Sequence, residues 1–198
     1  YVTPAGTRGS YKLSERLNSL REHGRDAALR ARAQPLIDAL HQRFDETVNL
    51  GVLEGIYIRY AHVTETAQAL RWIVKPGARD LFHTTALGRA IVANLPDEQQ
   101  SRLVTKACAT LPARGRKAAR LLLEQELAAT RARGCALEEE ETVAGVACVA
   151  ISLVSFDELL AGISVSVPVN RFPADRRDTL ISAMRQLSHD ATAHQAHA

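Results

Sequence analysis

An antiparallel sheet of about six strands, with helices on one or both of its faces, is what this 198-residue sequence predicts. Three observations carry that α+β reading. Runs rich in β-branched and aromatic residues fill positions 47–74 and return over 135–167. Segments of helical period lie between and after them. No regular alternation of one strand with one helix runs through the chain, which argues against a parallel sheet built of βα units. No internal repeat and no low-complexity tract is present.

Pro4, Gly6 and Gly9 among short polar residues read Tyr1 to Ser10 as part of a hairpin whose second strand is Ser10-Tyr11-Lys12-Leu13. Two strands alone are marginal in water. The opening residue is tyrosine rather than methionine, so this piece is expected to belong to something N-terminal that the chain lacks. Leu13, Leu17 and Leu20 fall at helical spacing. The pattern pauses at His23-Gly24 and resumes through Ala27, Ala28 and Leu29, which predicts a linker helix with a weak point. Leu36, Leu40 and Phe44 then repeat every fourth residue, with Pro35 at a helix start or a kink. From there the globular part is expected to begin.

Thr47 to Leu53 and Ile56 to Thr64 read as strands joined by the hairpin signal Glu54-Gly55. Ala69 to Val74 is expected to form a third strand, closed by Lys75-Pro76-Gly77. Thr84-Thr85 offers a hydroxyl cap for a small-residue helix over Ala86 to Leu95, and Pro96 stops it. Asp97-Glu98 place acids in the first turn of the next helix. A third runs from about Lys117 to Arg133, with Ala119, Leu123 and Leu127 on one face and Gly134 as its C-terminal residue. Strands follow at Cys135 to Glu139, Val146 to Leu153 and Leu159 to Val167, then a helix with Leu180, Met184, Leu187 and Ala191 on one face.

Composition excludes several classes. Hydrophobic residues make up 46% and charged residues 24%, the balance of a globular domain. The longest apolar stretch, Val143 to Val154, falls short of the roughly 20 residues that cross a bilayer. No signal-peptide pattern opens the chain, so a signal peptide is expected to be absent unless already removed, and the cytoplasm is the expected compartment. Cys108, Cys135 and Cys148 lie far apart without zinc-ligand spacing and read as reduced thiols. Net charge is +3, too small to mark the whole chain as a nucleic-acid binder. Its distribution says more: Arg8, Lys12, Arg16, Arg21, Arg25, Arg30 and Arg32 crowd the first segment, while Glu138 to Glu141 form the one acidic block.

Four places carry chemistry. Thr84-Thr85 ahead of small residues leaves backbone amides at a helix N-terminus, where the dipole favours an anion such as a carboxylate. The plain alternative is a threonine capping its own helix. In Gly162-Ile163-Ser164-Val165-Ser166-Val167, alternation sets both serines on one sheet face, either lining a polar pocket or facing solvent. Cys148 stands in an apolar strand where a thiol is ordinarily a small hydrophobe. A nucleophile there needs a base, and His83 is the only histidine inside a candidate site. The acidic run reads as a solvated edge that can hold one carboxylate inward, since every second residue of a strand points in. Searches for GxSxG, HExxH, GxGxxG and GxxxxGK[ST] find nothing.

Together these segments resemble the effector-binding region of the IclR (isocitrate lyase regulator) family of bacterial transcription factors. The matching pieces are Gly9 to Ser14, similar to the wing strand that ends a winged helix-turn-helix, and Glu46-Thr47-Val48-Asn49-Leu50-Gly51-Val52. Leu81 to Ala93, Arg131 to Gly134 with the acidic run, Gly145 to Ala150, and Ile163 to Pro168 complete the series in the family's order. Each piece is weak alone; the ordered set is specific and covers nearly the whole chain.

The resemblance implies a GAF-like or profilin-like domain, a curved and roughly six-stranded antiparallel sheet flanked by helices and preceded by a linker helix. It divides the chain into residues 1–13, a remnant of the wing hairpin, 14–33, the linker helix, and 34–198, the effector-binding domain. It also implies a small-molecule effector, expected to be an organic acid, which adjusts operator binding by a separate N-terminal domain absent here. A homodimer or tetramer, no membrane, no cofactor, no metal and no catalytic residue go with it. Carried over by position, anion-binding amides fall on Ala86 and Leu87, polar ligand-facing side chains on Glu138, Cys148, Ser164 and Ser166, and an apolar wall on Ala69, Trp72 and Val146. The chain departs from the family pattern at Trp72, Glu138 and Leu87, which are larger than usual there. At Asp80 it has a charge where an apolar wall residue is expected, and at Ser152 a serine where proline is frequent. Two other classes remain open on the residues: an enzyme of GAF-like fold with Cys148 as nucleophile, and a dimerisation module with a closed pocket.

Overall fold

A computed structural model describes residues 2–4, 11–13, 15–156 and 159–195. It divides into two compact units, Tyr1–Gln34 and Pro35–Ala198. In the first, β1 (Val2–Pro4) pairs antiparallel with β2 (Tyr11–Leu13), in register Thr3↔Lys12. Residues 1, 5–10 and 14, which include the expected turn and part of the wing-like segment, lie outside the described residues. Helix α1 (Glu15–Phe44) is continuous. The expected pause at His23-Gly24 does not occur, because one glycine inside a helix costs only about 1 kcal/mol. Pro35 likewise stands inside the helix rather than at a start. The side chains of Leu13, Leu17 and Leu20 lie outside the described residues.

The second unit holds a six-stranded antiparallel sheet in the order β5-β4-β3-β8-β7-β6. Strands β3 (Thr47–Glu54) and β4 (Tyr57–Thr64) form the hairpin marked by Gly55, whose φ of +62° suits a glycine in a tight turn. A register shift at Leu50/Gly51 bends β3. The expected strand at Ala69 to Val74 is absent: that apolar run is a loop, with Leu70 58% exposed. The short edge strand is β5 (Arg79–Leu81) instead. Its three residues are too few to show a period, whereas the loop's Leu-Arg-Trp-Ile-Val has strand propensity without strand burial.

A 3₁₀ turn (Phe82–Thr84) leads into α2 (Ala86–Ala93), every residue of which is buried. Helices α3 (Asp97–Ala109) and α4 (Arg116–Arg133) follow, with Gly134 closing α4 at φ +76°. Strands β6 (Ala136–Glu139), β7 (Val146–Phe156) and β8 (Leu159–Pro168) complete the sheet, and α5 (Ala174–Gln195) ends the described chain. Phe82, Leu87, Ile91, Val104 and Leu127 join Ile58 and Ala150 in one core. Helix α5 packs on β7 and buries Leu180 and Met184; Ala191's side chain lies outside the described residues. Among the described residues no helix is long and apolar enough to cross a membrane.

Candidate functional site

The site begins at Thr85. This residue is extended, at φ −120° and ψ 143°, and its Oγ1 accepts the Gly88 amide at 3.0 Å, which makes it the N-cap of α2. The first-turn amides of Ala86 and Leu87 have no intrahelical carbonyl to donate to and sit at the positive end of the helix dipole. Both residues lie in the wall of a cavity of about 180 Å³. Small residues let the helix approach: a Cβ on Gly51 stands 2.5 Å from Leu87 Cδ2, and one on Gly162 stands 3.0 Å from Leu87 Cδ1 and Ile91 Cγ1. At Gly88 a Cβ collides with the backbone of Phe82.

The floor of the cavity is built by strand alternation. Asn49 faces Ser164 across β3 and β8, and Cys148 faces Ser166 across β7 and β8. Asn49 Nδ2 donates to Ser164 Oγ at 3.3 Å and to Ser166 Oγ at 3.0 Å. The Cys148 thiol donates to Ser166 Oγ at 3.4 Å. Ser166 Oγ thus accepts twice, and its own O–H is left to donate. The buried Oδ1 of Asn49 has no hydrogen-bond partner among the described residues.

Cys148 serves as a hydrogen-bond donor to Ser166. Burial pushes its thiol up to about 12, with Glu138 adding to the rise and the Ser166 bond opposing it. A thiol so placed is not ionised at neutral pH. His83, held below the usual imidazole range by burial and by Arg89, is not in the cavity wall. No hydrogen bond joins it to Cys148 among the described residues.

Two rims close the cavity. On one, Glu138 turns inward opposite Cys148 and is 4% exposed, while Glu139, Glu140 and Glu141 face solvent. Its Oε1 accepts the amides of Glu141 and Thr142, both at 2.9 Å. The same loop is tied to the α2 region twice. Buried Arg89 makes a bidentate pair with Glu141, at 3.2 and 2.9 Å, and the Thr142 hydroxyl donates to the Thr84 carbonyl. On the other rim Tyr60 donates to Asp80 Oδ2 at 3.1 Å. Burial and then Asp80 push the phenol well above its ordinary range, so it stays a donor. Trp72 and Val74 finish this side.

Of the nine positions assigned from the sequence, the cavity wall brings together Ala86, Leu87, Glu138, Cys148, Ser164, Ser166, Trp72 and Val146. Ala69 is not in the wall; it is exposed in the loop that replaces the expected third strand. Asn49, Tyr60 and Asp80 also line the cavity. Asn49 had a legible signal, since Thr47, Asn49 and Gly51 alternate with Val48, Leu50 and Val52 as the two serines do with their neighbours. Tyr60 carried none, as an aromatic in a strand is ordinarily core. No group of three histidine, cysteine or acidic side chains that would hold a metal exists among the described residues.

A curled antiparallel half-barrel with a buried helix across it is the GAF-like architecture. Over residues 22–193 the chain matches the family described as bacterial transcriptional regulator IclR C-terminal. It is 34% identical over 179 residues to the HTH-type transcriptional regulator BhcR of Paracoccus denitrificans, covering 83% of this chain and 61% of that protein. It is 35% identical over 182 residues to the probable transcriptional regulator SauR of Cupriavidus necator, covering 87% and 69% respectively. The crystal structure of an IclR family transcriptional regulator from Brucella abortus superposes with a TM-score of 0.77 at 18% identity, covering 98% of this chain and 74% of that one. The chain belongs to the IclR family and contains its C-terminal effector domain. It spans about three fifths of the first of these relatives and about two thirds of the second.

Proposed function

We propose that this domain binds a small carboxylate-bearing metabolite in the 180 Å³ cavity and that binding adjusts how a larger IclR-type regulator engages operator DNA. The observation that carries the reading is the wall itself. The free first-turn amides of Ala86 and Leu87 and the linked hydroxyls of Ser164 and Ser166 border one buried space. Such a set suits a carboxylate, which accepts hydrogen bonds and gains from the helix dipole. The volume lies below the roughly 300–1,000 Å³ typical of drug-sized ligands and fits a molecule of few heavy atoms.

In this reading Glu138 and Cys148 contact the ligand beside the serines, and Trp72 and Val146 cover its apolar part. Residues 14–33 link the effector domain, 34–198, to a DNA-binding segment of which 1–13 is the last hairpin. The whole protein works as a homodimer or tetramer in the cytoplasm. Ligand preference for one arrangement shifts the equilibrium of the assembly, and linkage makes operator and ligand affinities reciprocal. The role is sensing rather than catalysis, supported by the protonated Cys148 thiol and by relatives that are transcriptional regulators.

A thermal-shift screen of this chain against small carboxylates tests the proposal, because a ligand of the folded state raises its melting point by mass action. A shift lost in Ser164→Ala and Ser166→Ala supports it. A flat response to every acid in the panel removes the carboxylate from the reading and leaves a closed dimerisation module or a ligand that is not an acid in its place.

A further inference from the structure

Every charged side chain in the cavity wall is a carboxylate. Asp80 and Glu138 are the two, and no lysine, arginine or histidine stands among the lining residues. Neither carboxylate has an ion-pair partner among the described residues; Asp80 is met by the Tyr60 hydroxyl and Glu138 by two backbone amides. The buried guanidinium of Arg89 lies outside the wall; its two terminal nitrogens pair with Glu141, and its Nε has no hydrogen-bond partner among the described residues. A pocket for a plain anion is ordinarily lined by cations or by donors alone. This one sets two negative charges beside its donors, and a ligand with only a carboxylate meets both at close range in a poorly solvated space.

A third acceptor belongs to the same wall. Asn49, 2% exposed, spends its Nδ2 protons on the two serines and leaves Oδ1 without a partner. A buried acceptor left unmade is costly unless a ligand supplies the donor. Two charged acceptors therefore border the cavity, a third and uncharged one is buried within a residue of the same wall, and an ammonium group has three N–H donors. Trp72 and Tyr60 add aromatic rings to the wall beside Asp80, a surface that favours a cation.

We infer that the effector is a small zwitterion, an amino-carboxylic acid whose carboxylate meets the amides of Ala86 and Leu87 while its ammonium faces Asp80, Glu138 and Asn49. This rests on the cavity being the effector site and adds the second functional group of the ligand. Asp80 is then the residue that selects an amine over a hydroxyl or keto group of the same skeleton, because only the amine brings a compensating positive charge.

The experiment is a calorimetric titration of this chain with matched sets. Each small α-amino acid, and 3-aminopropanoate, is compared with the hydroxy acid and the keto acid of the same carbon skeleton. The expected result is that one amino acid binds at least tenfold tighter than its two counterparts. Asp80→Asn, which keeps the shape and the Tyr60 contact, removes that preference, and Glu138→Gln narrows it. Circular dichroism of both variants confirms the fold. Hydroxy or keto acids binding as tightly as their amino counterparts overturns the inference and leaves the carboxylate reading standing. No binding in any set overturns both. A preference for the amino acid that survives Asp80→Asn and Glu138→Gln together overturns the assignment of these residues.

Discussion

The floor and the rims of the cavity are built on opposite principles. The floor lies in mid-sheet, where Asn49, Cys148, Ser164 and Ser166 come from three adjacent strands and each position is fixed by ladder register. The rims add loops, the Trp72 segment and the turn after Glu138, to residues of the outer strands β4, β5 and β6, and side chains rather than ladders hold the second loop in place. What this teaches is where error is tolerated. A floor residue cannot change size without moving the sheet, whereas a rim residue can change with loss of little beyond its own bond.

The largest difference between the two is expected at their glycines. Gly162→Ala sets a methyl group 2.7 Å from the Ile151 carbonyl oxygen and 3.0 Å from Leu87, and no flexible side chain stands there to yield alone. Overpacking of this kind costs about 3 kcal/mol, read as a lowered urea midpoint with unchanged slope. Gly145, in the rim turn, has nothing within 4 Å of a built Cβ, and only its φ of +81° resists a side chain. Gly145→Ala is expected to cost about 1 kcal/mol. Equal losses at the two sites would erase the contrast between floor and rim.

Next in size is the polar floor. Ser166→Ala removes the acceptor of two bonds at once, one from Asn49 and one from Cys148. Leaving buried donors unmatched costs about 2 kcal/mol. The paired change Asn49→Leu with Ser166→Ala removes donor and acceptor together, and is expected to lose less than the sum of the single changes in a double-mutant cycle. Strict additivity would show that the floor is a set of independent contacts and not one network.

How much of this was legible follows the same division. Floor positions are periodic, so Ser164, Ser166 and Cys148 can be read from alternation, as can the inward Glu138 where a rim still belongs to a strand, and Thr85 from capping chemistry. Asn49 obeyed the same rule and was recoverable from it. The rims obey no period. The Ala69 to Val74 run has the composition of a strand, yet Leu70 and Trp72 stay substantially exposed, because edge pairing with β4 was taken by Arg79–Leu81. Propensity ranks what a segment can do; competition for one sheet edge decides what it does, and that competition is long-range. Likewise Gly24 and Pro35 each carry a local signal to break a helix that α1 overrides.

A pH experiment sharpens the comparison further. Burial holds the thiol of Cys148, on the floor, well above its ordinary range, at about 12. The unfolded chain then releases this proton at lower pH than the folded chain, so it is the unfolded state that gains from alkali. The stabilisation is fully present below pH 9 and is lost progressively between pH 9 and 12. Urea midpoints of the wild type are expected to fall between pH 8 and 10 more steeply than those of Cys148→Ala, by up to about 1 kcal/mol. Identical pH slopes would place the thiol in a wetter setting than the floor provides.

The smallest effect belongs to the ion pair that holds the rim. Arg89 is 4% exposed, but its partner Glu141 is 54% exposed, and water screens much of their attraction. Glu141→Gln keeps a hydrogen-bond acceptor for the guanidinium and is expected to cost under about 1 kcal/mol in stability. Its consequence should be local instead. The Glu141 and Thr142 amides bonded to Glu138 would exchange with deuterium faster than in the wild type, while the amides of Ser164 and Ser166 keep their protection. Faster exchange at the serines as well would mean that the rim and the floor open as one unit, and the ordering of all these effects would then have to be redrawn around a single cooperative site.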